Sequence, residues 1–137
     1  MLLLQLLIGA VLGAVSLVTT RLTARGRPDP AFIERSAWAF YLVVAALIYV
    51  GFAVAGDAPG GWMGAELAGV AFYGAVAVAG FWRWPRLVGV GWLAHGLWDF
   101  LLHPGGHPGY VPDWYPAVCL GFDLAVGVWL VRALGDR

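Results

Sequence analysis

The sequence predicts an all-α membrane protein, a bundle of five transmembrane helices with the N-terminus outside and the C-terminus in the cytoplasm. Three observations support this fold class. Hydrophobic residues make up 61% of the 137 residues and charged residues only 12%, whereas soluble chains usually carry about 25% charge. The apolar residues fall into five long runs, and the arginines fall only between alternate runs or after the last one. The length allows a single domain spanning residues 1–137.

Each of the five runs is long enough to cross a bilayer, which requires about 20 mostly apolar residues, with a range of roughly 17–25. The runs are rich in Ala, Leu, Val and Gly and show no strand-like alternation, so we expect helices and not a barrel. The first run has no basic residue before it and no small-x-small cleavage site after it, so we interpret it as a helix and not as a signal peptide. The predicted spans are residues 2–22, 37–55, 63–82, 87–103 and 117–134.

The arginines predict the orientation of the bundle. They lie in three groups, which follow spans one, three and five: Arg21, Arg25, Arg27 and Arg35; Arg83 and Arg86; and Arg132 and Arg137. With five spans, all three groups fall on the same side of the membrane. Because basic residues in short loops mark the cytoplasmic face, we expect a multi-pass protein of the cytoplasmic (inner) membrane.

Composition also excludes several partners and frameworks. The chain has no lysine and its formal net charge is zero, so a basic nucleic-acid-binding surface is not expected. Its single cysteine, Cys119, excludes an internal disulfide and a cysteine-based zinc framework. The expected partner is the lipid bilayer. Aromatic residues near the span ends are predicted to anchor at the headgroup level: Trp38, Trp62, Trp82, Trp84, Tyr110, Trp114 and Tyr115.

Helix one carries Gly9 and Gly13 at a small-xxx-small spacing, which lets two helix backbones approach closely. The partner helix can belong to the same chain or to a second copy. The sequence therefore leaves open both a contact within the monomer and a homo-oligomer through Gly9 and Gly13.

The fourth span carries an unusual set of ionisable residues. His95, Asp99 and His103 are spaced four apart, which places them within an arc of about 80° on one helix face. All three histidines of the chain lie between His95 and His107. An ionisable residue inside a span costs about 2.5–3.5 kcal/mol on insertion scales, so this face indicates a functional site.

Two acidic residues of other spans are expected to join that face. Asp123 in span five lies at the same depth as His95, and Cys119 at the same depth as Asp99, if spans four and five are antiparallel neighbours. We therefore expect His95 to meet Asp123 and Asp99 to meet Cys119. Glu66 enters from the outer end of span three. Together these groups predict a polar cavity in the outer leaflet.

Three interpretations of the cavity stay open. The first is a site for a divalent metal, zinc being the candidate, with ligands among His95, Asp99 and His103 and with Asp123 or Glu66 as general base or additional ligand. Because His95 and His103 are about 12 Å apart along the helix axis, one ion would take Asp99 with either histidine, or Asp99 would bridge two ions. The second is a metal-free polar network in a non-enzymatic subunit or small-molecule binder. The third is a pigment site, in which one histidine ligates a haem or a chlorin.

The face formed by His95, Asp99 and His103 resembles the intramembrane site of the alkaline ceramidase and adiponectin-receptor superfamily, whose members are seven-span hydrolases with a histidine-bound zinc. The chain departs from that pattern in its span count, and Asp99 stands where a histidine would be expected. The resemblance implies a metal-dependent hydrolase that acts on a lipid or amphiphile. The segment is also similar to that of small uncharacterised bacterial integral membrane proteins.

Overall fold

The computed structural model describes residues 1–134, and within them the chain is helical without any strand. A short 3-10 helix, Pro104–Gly106, lies in the loop before the last helix. The five α-helices are α1 (Leu2–Ala24), α2 (Pro30–Ala55), α3 (Trp62–Trp82), α4 (Arg86–Leu102) and α5 (Tyr115–Ala133).

The helices α1, α2, α3 and α5 are each long and apolar enough to cross a membrane. The helix α4 has 17 residues, at the lower end of the length that a span requires. The helix α2 starts at Pro30 and not near residue 37. Asp29 caps this helix by accepting a hydrogen bond from the Phe32 backbone N–H at 2.9 Å, and proline suits a first helical turn.

The small residues of α1 pack against α5 of the same chain. A Cβ atom added at Gly13 would lie 2.9 Å from the carbonyl oxygen of Phe122, so the two backbones approach too closely for any larger residue. Gly9 also faces the backbone of α5, at Val118. The face of Gly9 and Gly13 is therefore occupied within the chain, and a homo-oligomer would have to use another surface.

The arginines near the helix termini gather at one end of the bundle, which we call the arginine end. The Arg21 guanidinium lies 3.4 Å from the Glu34 carboxylate and 4.9 Å above the Trp129 ring. Arg35 lies 5.4 Å from the Phe81 ring. These contacts join the ends of four helices, α1, α2, α3 and α5. Arg137 lies outside the described residues.

Two apolar clusters fill the interior. The larger lies towards the arginine end, where Trp92 donates a hydrogen bond from Nε1 to the Trp38 carbonyl oxygen at 3.1 Å. The smaller lies at the opposite end, which we call the loop end, and contains Tyr49, Ala53, Tyr110 and Val111.

The prediction that aromatic residues near the span ends anchor at the headgroup level was wrong for Trp38 and Tyr110. These two side chains are buried, at 1% and 8% exposed, while Trp82 is 77% exposed.

Candidate functional site

Three ionisable side chains meet between α4 and α5, and we call His95, Asp99 and Asp123 the His95 cluster. The Nδ1 atom of His95 lies 2.8 Å from Asp123 Oδ2 and 3.2 Å from Asp99 Oδ2. Each of the three residues is at most 2% exposed. One imidazole nitrogen therefore faces two carboxylates inside the apolar bundle.

The local sequence explains why these groups meet. His95 and Asp99 are four residues apart on α4, so one helical turn aligns them on the same face. Gly96 follows His95, and a Cβ atom at this position would lie 2.7 Å from the Cβ of Asp123. The missing side chain lets α5 approach closely enough for Asp123 to reach His95.

The His95 cluster brings together three groups that could hold a divalent cation. One ligand-type atom from each residue lies within 4.8 Å of the others. Metal–ligand bonds of about 2.0–2.2 Å place the ligands of a tetrahedral ion about 3.3–3.6 Å apart, close to the His95–Asp99 separation of 3.2 Å, whereas the 2.8 Å separation of His95 from Asp123 is that of a hydrogen bond. Asp99 Oδ2 is buried and has no aligned hydrogen bond, although the Tyr49 hydroxyl, which is also unsatisfied, interacts with the Asp99 carboxylate. A buried acceptor in this state can take up an ion, a proton or a water molecule.

A small cavity of about 10 Å³ adjoins the cluster. This volume corresponds to one water molecule. His95, Asp99 and Glu66 are its ionisable lining residues, and the rings of Tyr49, Tyr73 and Trp98 also line it. Glu66 therefore borders the same water-sized space as two members of the His95 cluster.

A second polar group lies nearer the loop end, and we call His103, Glu66 and Tyr110 the His103 cluster. The Tyr110 hydroxyl donates a short hydrogen bond to Glu66 Oε1. His103 Nε2 lies 2.9 Å from the same oxygen, outside hydrogen-bond alignment. His103 Nδ1 lies 3.1 Å from the His107 carbonyl oxygen, to which it can only donate, so the proton on Nδ1 is fixed.

The structure distinguishes between the predicted pairs. Of Asp99 with His95 and Asp99 with His103, it brings together the first and turns His103 away, because α4 ends at Leu102 and His103 caps it in a non-helical conformation. Its ring consequently turns towards Glu66. The predicted pairing of Asp99 with Cys119 is also not formed at Asp99 Oδ2, which has no hydrogen-bond partner.

Two tyrosines belong to the site although sequence reasoning did not assign them to it. Tyr49 of α2 stacks on the His103 ring at 4.9 Å and meets the His95 ring edge-on at 6.3 Å. Tyr49 lies in a continuous apolar run, in which the sequence does not distinguish a site residue from a packing residue. Tyr110 was assigned to the interface, but its hydrogen bond to Glu66 shows that the loop folds inward. Gly56 makes room for it, because a Cβ atom at this position would lie 2.7 Å from the Tyr110 Cβ.

The Tyr110 side chain has a perturbed acidity. Burial, together with the hydrogen bond to Glu66 and the charge of that carboxylate, raises the pKa of Tyr110 above its ordinary value of 10. The hydroxyl therefore keeps its proton at neutral pH and remains a donor to Glu66.

Comparison with known proteins bears on the whole chain and not on the site alone. No curated protein and no solved structure matches the chain. A family model matches residues 5–135, which include every residue of the two clusters. The chain belongs to the DUF6010 family, a family of unknown function.

Proposed function

We propose that the protein is a small membrane-embedded, metal-dependent hydrolase that binds a divalent cation, zinc being the candidate, between His95, Asp99 and Asp123. The observation that carries the proposal is the convergence of three ligand atoms within 4.8 Å around an unsatisfied carboxylate oxygen of Asp99. A cation held there would supply a nucleophilic water near neutral pH.

Charge balance supports the proposal. A buried carboxylate is expensive in an apolar environment unless it is paired or coordinates a metal. Two ionised aspartates and a neutral His95 carry a combined charge of −2, which one divalent cation neutralises. Without a cation, the same site needs an imidazolium and a protonated carboxyl group. The metal-free network is thus the alternative against which the proposal is tested.

In this proposal, Glu66 acts as the general base. It shares the one-water cavity with His95 and Asp99, so a water molecule there contacts the carboxylate and the His95 cluster together. In hydrolysis, the water oxygen bonds to the acyl carbon while Glu66 accepts its proton. The bond to the alcohol or amine then breaks, and Glu66 returns the proton to that leaving group.

The His103 cluster has the role of orienting this base. Tyr110 donates to Glu66 Oε1, and His103 is held by the His107 carbonyl. A pigment in place of a metal is not supported by the geometry, because the cavity beside His95 has a volume of only about 10 Å³, which is the space of one water molecule.

We further propose that all five helices cross the cytoplasmic membrane, with the arginine end inside, the N-terminus outside and the site in the outer half. The clustering of arginines at one end supports this orientation. Labelling of cysteine variants on a Cys119→Ala background tests it. An Arg25→Cys variant should react only from the cytoplasmic side and a His107→Cys variant only from outside, and reaction of the latter only from the cytoplasm would refute the orientation.

The metal itself is tested by mass spectrometry of protein purified without a His tag or chelating resin and then loaded with zinc. We expect one metal ion per chain in the wild type, loss of the ion in Asp99→Asn, and retention in Asp113→Asn, a matched change in the exposed loop. Wild-type protein that folds but holds far less than one ion per chain would overturn the metal proposal in favour of the metal-free network.

The catalytic role is tested on the same protein with a panel of ester- and amide-linked lipids in nanodiscs. Glu66→Gln retains an oxygen for Tyr110 but cannot accept a proton, so turnover should fall by about 10²–10⁴-fold while metal content stays unchanged. Loss of metal in this variant would show that Glu66 is a ligand and not the base.

A further inference from the structure

A second and larger cavity meets the His95 cluster from the lipid side. Its volume is about 310 Å³, within the range of roughly 300–1,000 Å³ that is typical of small-molecule sites. It forms a furrow between α1 and α2 with α5 as its floor. The residues that line it include Leu12, Ile48, Trp92, Cys119, Phe122 and Asp123.

The furrow opens sideways into the region that the bilayer would fill. Leu12 on one wall is 50% exposed and Ile48 on the other is 38% exposed, although both lie in apolar helices that are long enough to span. In a membrane, the medium that reaches these side chains is hydrocarbon. At the floor stands Asp123, which bonds to His95.

The direct route from the loop end is closed. His103 is 0% exposed, and Tyr49 and Val111 above the His95 cluster are 1% and 3% exposed. The furrow is therefore the larger opening on the side of Asp123 within the residues that the structure describes, and Asp123 itself is 1% exposed at its floor.

A third cavity, of about 350 Å³, continues the furrow towards the arginine end and shares Tyr41 and Phe122 with it. It extends to Thr19, whose hydroxyl is already hydrogen-bonded to the Val15 carbonyl oxygen at 2.8 Å. The two cavities therefore adjoin at Tyr41 and Phe122.

The chemistry of the lining indicates the occupant. The walls of the furrow are apolar, with Leu12, Ile48 and Phe122 among them, and one carboxylate, Asp123, lies at its floor. An apolar chain with a polar end matches this arrangement. We propose that the furrow binds one acyl or alkyl chain of a membrane amphiphile, which enters laterally between α1 and α2 with its polar group at Asp123. This inference names the substrate class of the proposed hydrolase and rests on that function.

Photo-crosslinking tests the proposal. The probe is a fatty acid with a diazirine in the part of its chain next to the carboxyl group, added to the full-length protein in nanodiscs, and the labelled residues are mapped by mass spectrometry. We expect labels concentrated on the furrow residues of α5, above all Cys119 and Asp123, and their loss when excess lysolipid is added. Labels spread evenly over the exposed apolar residues of all helices would overturn the proposal.

Matched variants separate the furrow from the rest of the lipid-facing surface. Ile48→Trp fills the furrow. Leu47→Trp places the same indole side chain on the preceding residue, which is 46% exposed and not part of the furrow lining. Labelling at Cys119 and Asp123 should fall about tenfold in the first variant and less than twofold in the second. Equal labelling of the two variants would refute the furrow.

A second pair of variants, on α1, controls for misfolding of the α2 variants. On the opposite wall, Leu12→Trp should block labelling as Ile48→Trp does, and Leu7→Trp, 54% exposed on the same helix, should not. Metal content is measured on the same samples. Furrow labelling without metal would leave the chain-binding site standing and overturn the metal proposal, whereas metal without furrow labelling would do the reverse.

Discussion

The two histidine clusters are built from similar parts, and each contains one buried atom without an aligned hydrogen bond, His103 Nε2 and Asp99 Oδ2, but they differ in charge balance. In the His103 cluster, one imidazole, one carboxylate and one phenol are joined, and the backbone carbonyl of His107 fixes the ring. In the His95 cluster, one imidazole nitrogen faces two carboxylates, and one carboxylate oxygen has no hydrogen-bond partner. The first set can balance its own charge, whereas the second carries an excess of acceptors.

This difference indicates which cluster binds and which supports. An excess of buried acceptors is tolerated where a cation or a proton completes the set. A group that is tied to the backbone and to a phenol instead holds its neighbour in one orientation. Changes in the His95 cluster should therefore alter metal content, and changes in the His103 cluster should alter stability while metal remains bound.

The largest effect is expected from Asp123→Ala. This variant leaves His95 without its 2.8 Å partner and removes one of the three proposed ligands. Breaking a buried pair costs about 3–5 kcal/mol, so the free energy of unfolding in detergent should fall by that amount and metal content should drop to background. Asp113→Ala in the loop is the control. Wild-type metal content in Asp123→Ala would show that Asp123 is not a ligand.

A substitution at a glycine can separate His95 from Asp123 without changing any polar side chain. Gly96→Ala introduces a Cβ 2.7 Å from the Cβ of Asp123, which must push α5 away and lengthen the contact to His95. Overpacking of this kind costs about 1–3 kcal/mol, and zinc affinity should fall. Gly74→Ala on α3, where a new Cβ meets no atom within 4 Å, should not destabilise the fold. The two variants are compared by zinc titration and thermal unfolding.

The His103 cluster should respond differently. His103→Ala removes the donor to the His107 carbonyl and leaves Glu66 with Tyr110 alone, at a cost of about 1–3 kcal/mol. Metal stoichiometry should stay at the wild-type value. His107→Ala is the matched control, because the structure uses the backbone carbonyl of His107 and its exposed side chain can be removed. Metal loss in His103→Ala would return His103 to the ligand set that the sequence predicted.

The smallest effect is expected from Tyr110→Phe, which removes one hydrogen bond to Glu66 and should cost about 1 kcal/mol. Because the pKa of Tyr110 in the folded protein lies above its ordinary value of 10, its contribution is fully present below pH 10 and is lost as the pH rises above that value. The gap in unfolding free energy between wild type and Tyr110→Phe should therefore narrow at alkaline pH. A gap that does not change with pH would contradict this role.

Much of the architecture follows from the sequence alone. Long apolar runs must form helices in an apolar environment, because backbone groups need internal hydrogen bonds there. The i, i+4 spacing of His95 and Asp99 fixes their common face, and depth matching along antiparallel helices predicted the contact of His95 with Asp123, which the structure forms at 2.8 Å. These relations are local or depend only on helix rise, so they need no knowledge of packing.

Tertiary structure decided what lies beyond one helix. His103 has the spacing of a ligand, but the end of α4 turns its ring to Glu66, because a residue past the last helical turn no longer follows the helical period. The sequence has no periodic pattern that predicts two further contacts. One is the loop that folds Tyr110 onto Glu66, and the other is the packing of α2 that places Tyr49 next to both imidazoles. Small residues such as Gly9 show that another helix can approach α1 closely. The same pattern suits a helix of the same chain and a helix of a second copy, so only the packing shows that the neighbour in this structure is α5.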